Sequence, residues 1–185
     1  MKLDADDFTL LGLPRAFTLD RAVLDRQWKA MQAQVHPDRF AAEGGAAQRR
    51  AMQWAVRVNE AYQRLKDPLR RASYMCELGG VPDQSESNTA MPADFLMQQM
   101  QWRETLEDAR DAHEVERLEQ EVVQHRHARL AEVARLIDGQ AAQGEGEDEA
   151  SPSYASAARE VRALMFIDRL GEEITRRLEQ YEDGL

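Results

Sequence analysis

The single cysteine and four histidines of this chain are residue types that serve elsewhere as nucleophiles, general bases and metal ligands. Their spacing favours none of these uses. His125 and His127 lie two positions apart on a predicted helix and point about 200° away from each other, whereas a helical metal pair lies three or four positions apart. The acidic run at residues 145–149 lacks the alternating oxygen ligands and turn glycine of a calcium loop. We therefore expect no metal, no cofactor and no catalytic residue, with a cysteine-dependent enzyme using Cys76 as the outside alternative.

The tripeptide His36-Pro37-Asp38 favours a different chemistry, the binding of a partner through an exposed turn. Pro37 fixes one backbone angle and so lowers the entropy that is lost on docking. Asp38 can accept charge-assisted hydrogen bonds from a basic group, and His36 offers both a donor and an acceptor. A bare tripeptide could equally be a simple helix-ending turn, so its interpretation depends on the elements around it.

Two amphipathic helices are predicted to position this turn. Apolar residues recur at helical spacing before it and after it: Leu24, Trp28, Met31 and Val35, then Ala55, Val58, Tyr62 and Leu65. Pro37 disfavours a helical backbone at the residue before it and so ends the first helix. The connection is short enough for the two helices to pack as an antiparallel hairpin that projects the turn from one end.

The composition of the rest of the chain also predicts helices, because Ala, Leu, Glu, Gln, Arg and Met are abundant. No run of alternating β-branched and aromatic residues indicates a strand. We expect an all-α protein with a first domain at residues 1–80, a polar connector at 81–91 and a three-helix bundle at 92–185. Residues 139–152 are predicted to form a mobile acidic loop within the bundle. The predicted helices are 6–11, 18 or 19 to 35, 46–66, 69–78, 93–109, 114–137 and 154–181, with Thr18 as the N-cap of the second.

Charge divides the chain unequally. Residues 1–75 hold 13 Lys+Arg and 9 Asp+Glu, a net of +4, whereas residues 76–185 hold 11 and 25, a net of −14. This asymmetry predicts two surfaces that meet different partners, and the acidic total disfavours nucleic acid. No stretch approaches the roughly 20 apolar residues of a membrane-spanning helix, and the first residues lack the apolar core of a signal peptide. We expect a cytoplasmic protein that binds no membrane.

A second candidate surface lies on the predicted helix at 93–109. One narrow stripe, formed by Phe95, Trp102, Leu106 and Ala109, is sufficient to bury the helix against the bundle. Leu96, Met97 and Met100 lie on other faces, together with Glu104 and Asp108. These residues would either widen the local core and contact the first domain, or form an apolar and acidic binding surface. On the last helix, Phe166 likewise falls off the stripe that contains Leu164 and Ile167.

Three blocks of sequence resemble the J-domain of DnaJ-type co-chaperones: residues 7–14 (DFTLLGLP), 36–40 (HPDRF) and 58–68 (VNEAYQRLKDP). Residues 69–80 and the block 95–104, with FLMQQM, resemble one branch, the HscB family that serves iron-sulfur cluster assembly. The resemblance covers nearly the whole chain. It implies an N-terminal J-domain containing the antiparallel hairpin, followed by a helical bundle, and it implies a co-chaperone and not an enzyme.

This resemblance also implies partners. In J-domains the turn and the basic face before it dock on a DnaK-type ATPase, here one resembling HscA, which assigns that contact to His36, Pro37, Asp38, Arg26, Lys29 and Arg39. In the HscB family the bundle binds the cluster scaffold IscU, which assigns that contact to Leu96, Met97, Met100, Gln101, Glu104, Asp108 and Phe166. Delivery of a different client by the same J-domain is the alternative within this class.

Overall fold

A computed structural model describes residues 4–81, 93–139 and 153–183, and every regular element in these ranges is a helix. The predicted all-α fold is confirmed. The predicted connector beyond residue 81 and the predicted acidic loop beyond residue 139 lie outside the described residues. The helices are α1 (Asp7–Leu10), α2 (Arg21–Val35), a 3-10 helix (Pro37–Glu43), α3 (Gly45–Lys66), α4 (Pro68–Leu78), α5 (Ala93–Asp108), α6 (Ala112–Ile137) and α7 (Tyr154–Asp183).

The start of α2 differs from the prediction. Asp20, not Thr18, is the N-cap: its carboxylate accepts hydrogen bonds from the backbone N–H groups of Ala22 and Val23. An ionised side chain at this position also interacts favourably with the helix dipole. The predicted cap at Thr18 is therefore wrong, because the extended segment continues two residues further before the helix begins.

The connection between α2 and α3 is more ordered than a simple loop, since it contains the seven-residue 3-10 helix. Gly44 follows this helix with φ +92°, a conformation that residues with a Cβ rarely adopt, and α3 begins at the next residue. The turn at His36 and the turn at Gly44 thus bracket a short rigid segment between the two long helices.

The chain divides into two compact units, Met1–Tyr74 and Met75–Leu185, so the division falls inside α4 and a few residues before the boundary predicted at residue 80. In the first unit α2 and α3 are antiparallel, because Arg21 at the start of α2 contacts Tyr62 near the end of α3, while Gln32 in the last turn of α2 contacts Ala55 in the middle of α3. The core between these helices and α1 contains side chains that are almost fully buried: Phe8, Leu11, Leu24, Val58, Ala61 and Leu65. This packing leaves the His36 turn at one end of the hairpin.

In the second unit α5, α6 and α7 enclose one apolar core, in which Phe95, Trp102, Val115, Leu118, Ile167 and Ile174 are among the buried side chains. α6 and α7 are antiparallel and are joined by two ion pairs, Arg126 to Asp168 and Arg129 to Glu160, each with a nitrogen to oxygen distance of 2.7 Å. The Tyr181 hydroxyl donates to the carbonyl of Ala109 and so fixes the end of α7 beside the end of α5.

Candidate functional site

The backbone at His36 leaves the helical region as expected before a proline, with φ −61° and ψ 126°. Pro37 then begins the 3-10 helix, where its missing N–H costs no hydrogen bond. The backbone N–H of Asp38 donates to Nδ1 of His36 at 3.3 Å, so His36 is the N-cap of this helix. Because an accepting Nδ1 carries no hydrogen, the neutral ring in this geometry has its hydrogen on Nε2. The local fold thereby positions the His36 ring.

Both polar side chains of the turn are open to solvent. The side chain of His36 is 57% exposed and that of Asp38 is 89% exposed, and the Asp38 carboxylate lies 3.7 Å from His36 Nδ1. A carboxylate so exposed retains its capacity to accept hydrogen bonds from a basic group of another molecule. The turn therefore presents a donor, a rigid ring and an acceptor at the end of a helical hairpin.

Basic side chains extend this surface along α2. Arg26, Lys29 and Ala33 share one face of the helix by their spacing, and all three are exposed. Arg39 folds back from the 3-10 helix, and its Nη1 donates to the carbonyl of Ala33 at 3.1 Å. Since that carbonyl belongs to the last turn of α2, Arg39 caps the helix and also joins Arg26 and Lys29 on one side of the hairpin. We call Arg26, Lys29, His36, Pro37, Asp38 and Arg39 the turn surface.

A polar seam holds α2 against α3 beneath the turn surface. Asn59 Oδ1 accepts from Trp28 Nε1 at 3.0 Å and from Gln32 Nε2 at 2.9 Å, while the rings of Trp28 and Tyr62 stack with centroids 4.5 Å apart. Gln32 is thus committed to helix packing.

The pKa of one carboxyl group beside the same seam, that of Asp25, is lowered. A hydrogen bond from the Arg21 guanidinium at 2.7 Å, followed by one from the Tyr62 hydroxyl at 2.9 Å, lowers the pKa of the Asp25 carboxyl. Asp25 is therefore held in its ionised form down to lower pH than an isolated aspartate. This arrangement links the first turns of α2 to the C-terminal half of α3.

Sequence reasoning did not find the buried carboxylate of Asp7. Its side chain is completely inaccessible, with Arg57 Nη2 at 2.6 Å and Arg64 Nη1 at 2.9 Å from its two oxygens. Arg64 donates a directed hydrogen bond to Asp7, whereas the directed bond from Arg57 Nη2 goes to the carbonyl of Ala5. The two arginines lie 50 or more residues from Asp7, so no local pattern signals the cluster. It anchors α1 to α3 and so supports the hairpin.

The second candidate surface lies on α5, which has two unlike faces. Phe95 and Trp102 are each only 1% exposed, whereas Leu96, Met97 and Met100 are 43%, 68% and 72% exposed. Gln101, Glu104 and Asp108 are exposed as well. We call the six residues Leu96, Met97, Met100, Gln101, Glu104 and Asp108 the α5 face. It combines accessible apolar area with two carboxylates, which suits a partner that carries apolar and basic groups.

Phe166 is placed differently from the other residues predicted to act with it. It lies on α7, is half-buried and packs edge to face against Phe95, with centroids 6.0 Å apart and an interplanar angle of 89°. The Arg103 guanidinium of α5 covers its ring at 5.5 Å. Phe166 therefore supports the bundle at the edge of its core, and only its remaining exposed part is available to a partner.

The residues first considered for catalysis or metal binding do not come together. Cys76 is 4% exposed. His113 faces Glu116 at 3.6 Å, and His125 packs edge-on against Trp102. Among the side chains that the structure describes, no three His, Cys, Asp or Glu residues gather in a group able to hold a metal ion. Nor is any helix within the described ranges long and apolar enough to cross a membrane.

Comparison with known proteins gives the same family for the bundle and for the whole chain. A family model described as the HSCB C-terminal oligomerisation domain matches residues 91–175. The co-chaperone protein HscB homolog of Burkholderia mallei (strain SAVP1) is 47% identical over 185 residues, which cover 98% of this chain and 99% of the relative. The homolog from Bordetella avium (strain 197N) is 47% identical over 172 residues, covering 92% and 96% of the two chains.

Solved structures agree with these relatives. The chaperone HscB from Vibrio cholerae has 34% sequence identity and a TM-score of 0.74, with 95% of this chain and 99% of that chain covered. The human co-chaperone protein HscB matches with a TM-score of 0.82 at 22% identity, covering 95% and 83%. At that lower identity the human structure supports the fold alone.

Proposed function

The chain belongs to the HscB co-chaperone family, and from this membership we propose that it stimulates a DnaK-type ATPase resembling HscA and delivers to it an iron-sulfur cluster scaffold resembling IscU. The protein would thereby support cluster assembly and the maturation of iron-sulfur proteins. The observation that carries the proposal is the exposure of His36 and Asp38 on a rigid turn at the end of the α2–α3 hairpin.

In this proposal the turn surface is the ATPase contact. Asp38 accepts from a basic group of the chaperone, and His36 is oriented by the hydrogen bond from the Asp38 amide. Arg26, Lys29 and Arg39 attract an acidic patch on the same partner, which mainly raises the association rate and weakens with salt. The 3-10 helix lowers the entropy lost on docking because the turn is already ordered before the partner arrives.

The α5 face, with the accessible part of Phe166, is proposed as the scaffold contact. Flexible methionine side chains adapt to an irregular apolar partner surface, while Gln101, Glu104 and Asp108 form a polar rim that selects basic groups. The buried stripe of Phe95 and Trp102 fixes the helix that presents these residues. The scaffold would therefore meet a largely preformed surface.

The proposed division of labour assigns the J-domain to residues 1–80 and client binding to residues 92–185. Linking both contacts on one chain raises the effective concentration of client near the ATPase. The chemistry of ATP hydrolysis is assigned to the partner. Burial of Cys76 argues against the alternative of a cysteine-dependent enzyme, since a substrate has little access to its thiol.

A steady-state ATPase assay with the chaperone tests the proposal. We predict that His36→Gln or Asp38→Asn abolishes stimulation, while circular dichroism and scaffold affinity stay nearly unchanged, because both side chains are exposed and lie outside the core. Glu43→Gln is a matched control, since Glu43 is an exposed carboxylate at the far end of the same 3-10 helix. Full stimulation by either turn variant would refute the ATPase contact proposed here.

A further inference from the structure

The two most exposed large apolar side chains in the described residues are both methionines, and both lie on the α5 face. Met100 is 72% exposed and Met97 is 68% exposed, and their spacing of three residues places them side by side on the helix. By contrast, Met75 is only 1% exposed. The same side chains are thus the main apolar anchors of the proposed scaffold contact and the most accessible thioethers among the described residues of the second unit.

Accessibility decides how readily a thioether reacts with an oxidant. A peroxide transfers one oxygen to the sulfur: the S–O bond forms as the O–O bond breaks, the sulfur loses two electrons, and the remaining oxygen leaves as water. The product, methionine sulfoxide, carries a strongly polar S=O group on a side chain that was apolar. Buried Met75 is shielded from this reaction, whereas Met97 and Met100 expose most of their surface to solvent.

We propose that Met97 and Met100 form an oxidation-sensitive site, at which peroxide converts both thioethers to sulfoxides and thereby weakens binding of the scaffold. The inference rests on the proposed function, because it needs the α5 face to be the scaffold contact. A sulfoxide in the middle of that contact loses its hydrogen bonds to water on docking, and an apolar partner offers no replacement. The reaction is reversible, since methionine sulfoxide reductases return the sulfur to a thioether with two electrons and two protons from a pair of thiols, which become a disulfide, and the oxygen leaves as water.

The chain offers matched controls for this chemistry. Met52 is 59% exposed but lies on α3, outside the α5 face, so its oxidation reports accessibility without affecting the contact. Methionine to leucine is a nearly volume-conserving apolar change, and Leu96 is already part of the same face. The variant M97L/M100L therefore has no thioether to oxidise on the α5 face while Met52 still reacts, and its affinity for the scaffold is compared only between its own reduced and peroxide-treated forms.

The test treats full-length wild type, M97L/M100L and M52L with hydrogen peroxide, maps sulfoxides by peptide mass spectrometry and measures affinity for an IscU-type scaffold by calorimetry. We expect oxidised wild type and oxidised M52L to bind at least about tenfold more weakly than their reduced forms, since truncating or polarising a central anchor has effects of this order. Oxidised M97L/M100L should bind as its reduced form does. Reductase treatment of oxidised wild type should restore both thioethers and affinity, and this arm does not depend on any variant.

Equal affinity of reduced and oxidised wild type, with Met97 and Met100 shown to be sulfoxides, would overturn the inference while leaving the proposed function intact. An equal loss in oxidised M97L/M100L would also overturn it, because another oxidised residue would then be responsible. If reductase treatment restores both thioethers but not the affinity for the scaffold, the inference is likewise overturned. If reduced wild type does not bind the scaffold at all, the proposed function and this inference both fail.

Discussion

Replacing Leu96, Met97 and Met100 together by alanine should separate scaffold binding from the stability of the bundle. The three side chains are 43%, 68% and 72% exposed, so their truncation removes little that the folded chain buries. We expect the free energy of unfolding to change by less than about 1 kcal/mol, as is common for surface substitutions. The melting temperature, followed by circular dichroism, should stay close to that of wild type.

The loss in binding should be much larger. Complete burial of a Leu or Met side chain is favourable by roughly 1.5–3 kcal/mol, and each of these three still has a large part of its surface to bury. Alanine retains part of that area, and neighbouring contacts readjust, so we expect a loss of at least about 2 kcal/mol for the triple variant. This corresponds to a rise in Kd of roughly 30-fold, which calorimetry or interferometry with the scaffold measures directly.

Phe166 is best left out of this variant. Its ring packs edge-on against Phe95, so Phe166→Ala removes a contact within the bundle and would mix destabilisation with any loss of binding. The double variant M52A/V56A is the matched control, because both residues are exposed apolar side chains on α3 and lie outside the α5 face. A folded triple variant that binds the scaffold with wild-type affinity would refute the placement of the contact on α5.

Three further predictions concern the first unit and the linkage of the two partners. Asp7→Asn removes the counter-charge of Arg57 and Arg64 at a fully buried position, so urea denaturation should show a loss of about 2–3 kcal/mol, at or just below the lower limit of the roughly 3–5 kcal/mol for breaking a buried pair, because Arg64 is itself partly exposed. The folded-state pKa of Asp25 is depressed, so its contribution to stability is present above the unfolded pKa of about 4 and is lost as pH falls through the folded pKa. Asp25→Asn should therefore make the free energy of unfolding fall less steeply as the pH is lowered. Urea titrations at several acidic pH values that give wild type and variant the same dependence on pH would contradict this. A fragment of residues 1–80 should stimulate the ATPase at high concentration but lack the extra stimulation produced by scaffold with the full chain, and equal scaffold-dependent stimulation by the fragment would refute the tethering mechanism.

The family and the helices could be predicted from sequence because both depend on local information. Amphipathic spacing fixed the course of α2, α3 and α5–α7 to within two residues at most ends, and the same spacing separated buried Phe95 and Trp102 from exposed Met97 and Met100. The resemblance to the HscB family is confirmed by relatives that match over nearly the full length. The roles of the individual site residues stay predictions.

The features that sequence reasoning missed depend on contacts between distant parts of the chain or on competition between nearby caps. Asp7 meets Arg57 and Arg64 only after α1 has packed on α3, and no periodicity encodes that meeting. The choice of Asp20 over Thr18 as N-cap depends on where the preceding segment leaves its extended course. The helical angle of Phe166 placed this residue off the main stripe of α7, but it could not show that Phe166 packs against the ring of Phe95.

Under the proposed function, the unequal charge of the chain would direct its two partners to different surfaces. The net of +4 on residues 1–75 would attract an acidic patch of the ATPase to the turn surface, and the net of −14 on residues 76–185 would repel that patch from the bundle. A scaffold that presents basic groups would instead be attracted to the acidic bundle and repelled by the basic residues 1–75. Because specificity is a difference between affinities, repulsion at the wrong surface contributes as much as attraction at the right one. In this proposal, opposite charge on the two parts would let one short chain hold two partners at once, with each directed to its own surface before any close contact forms.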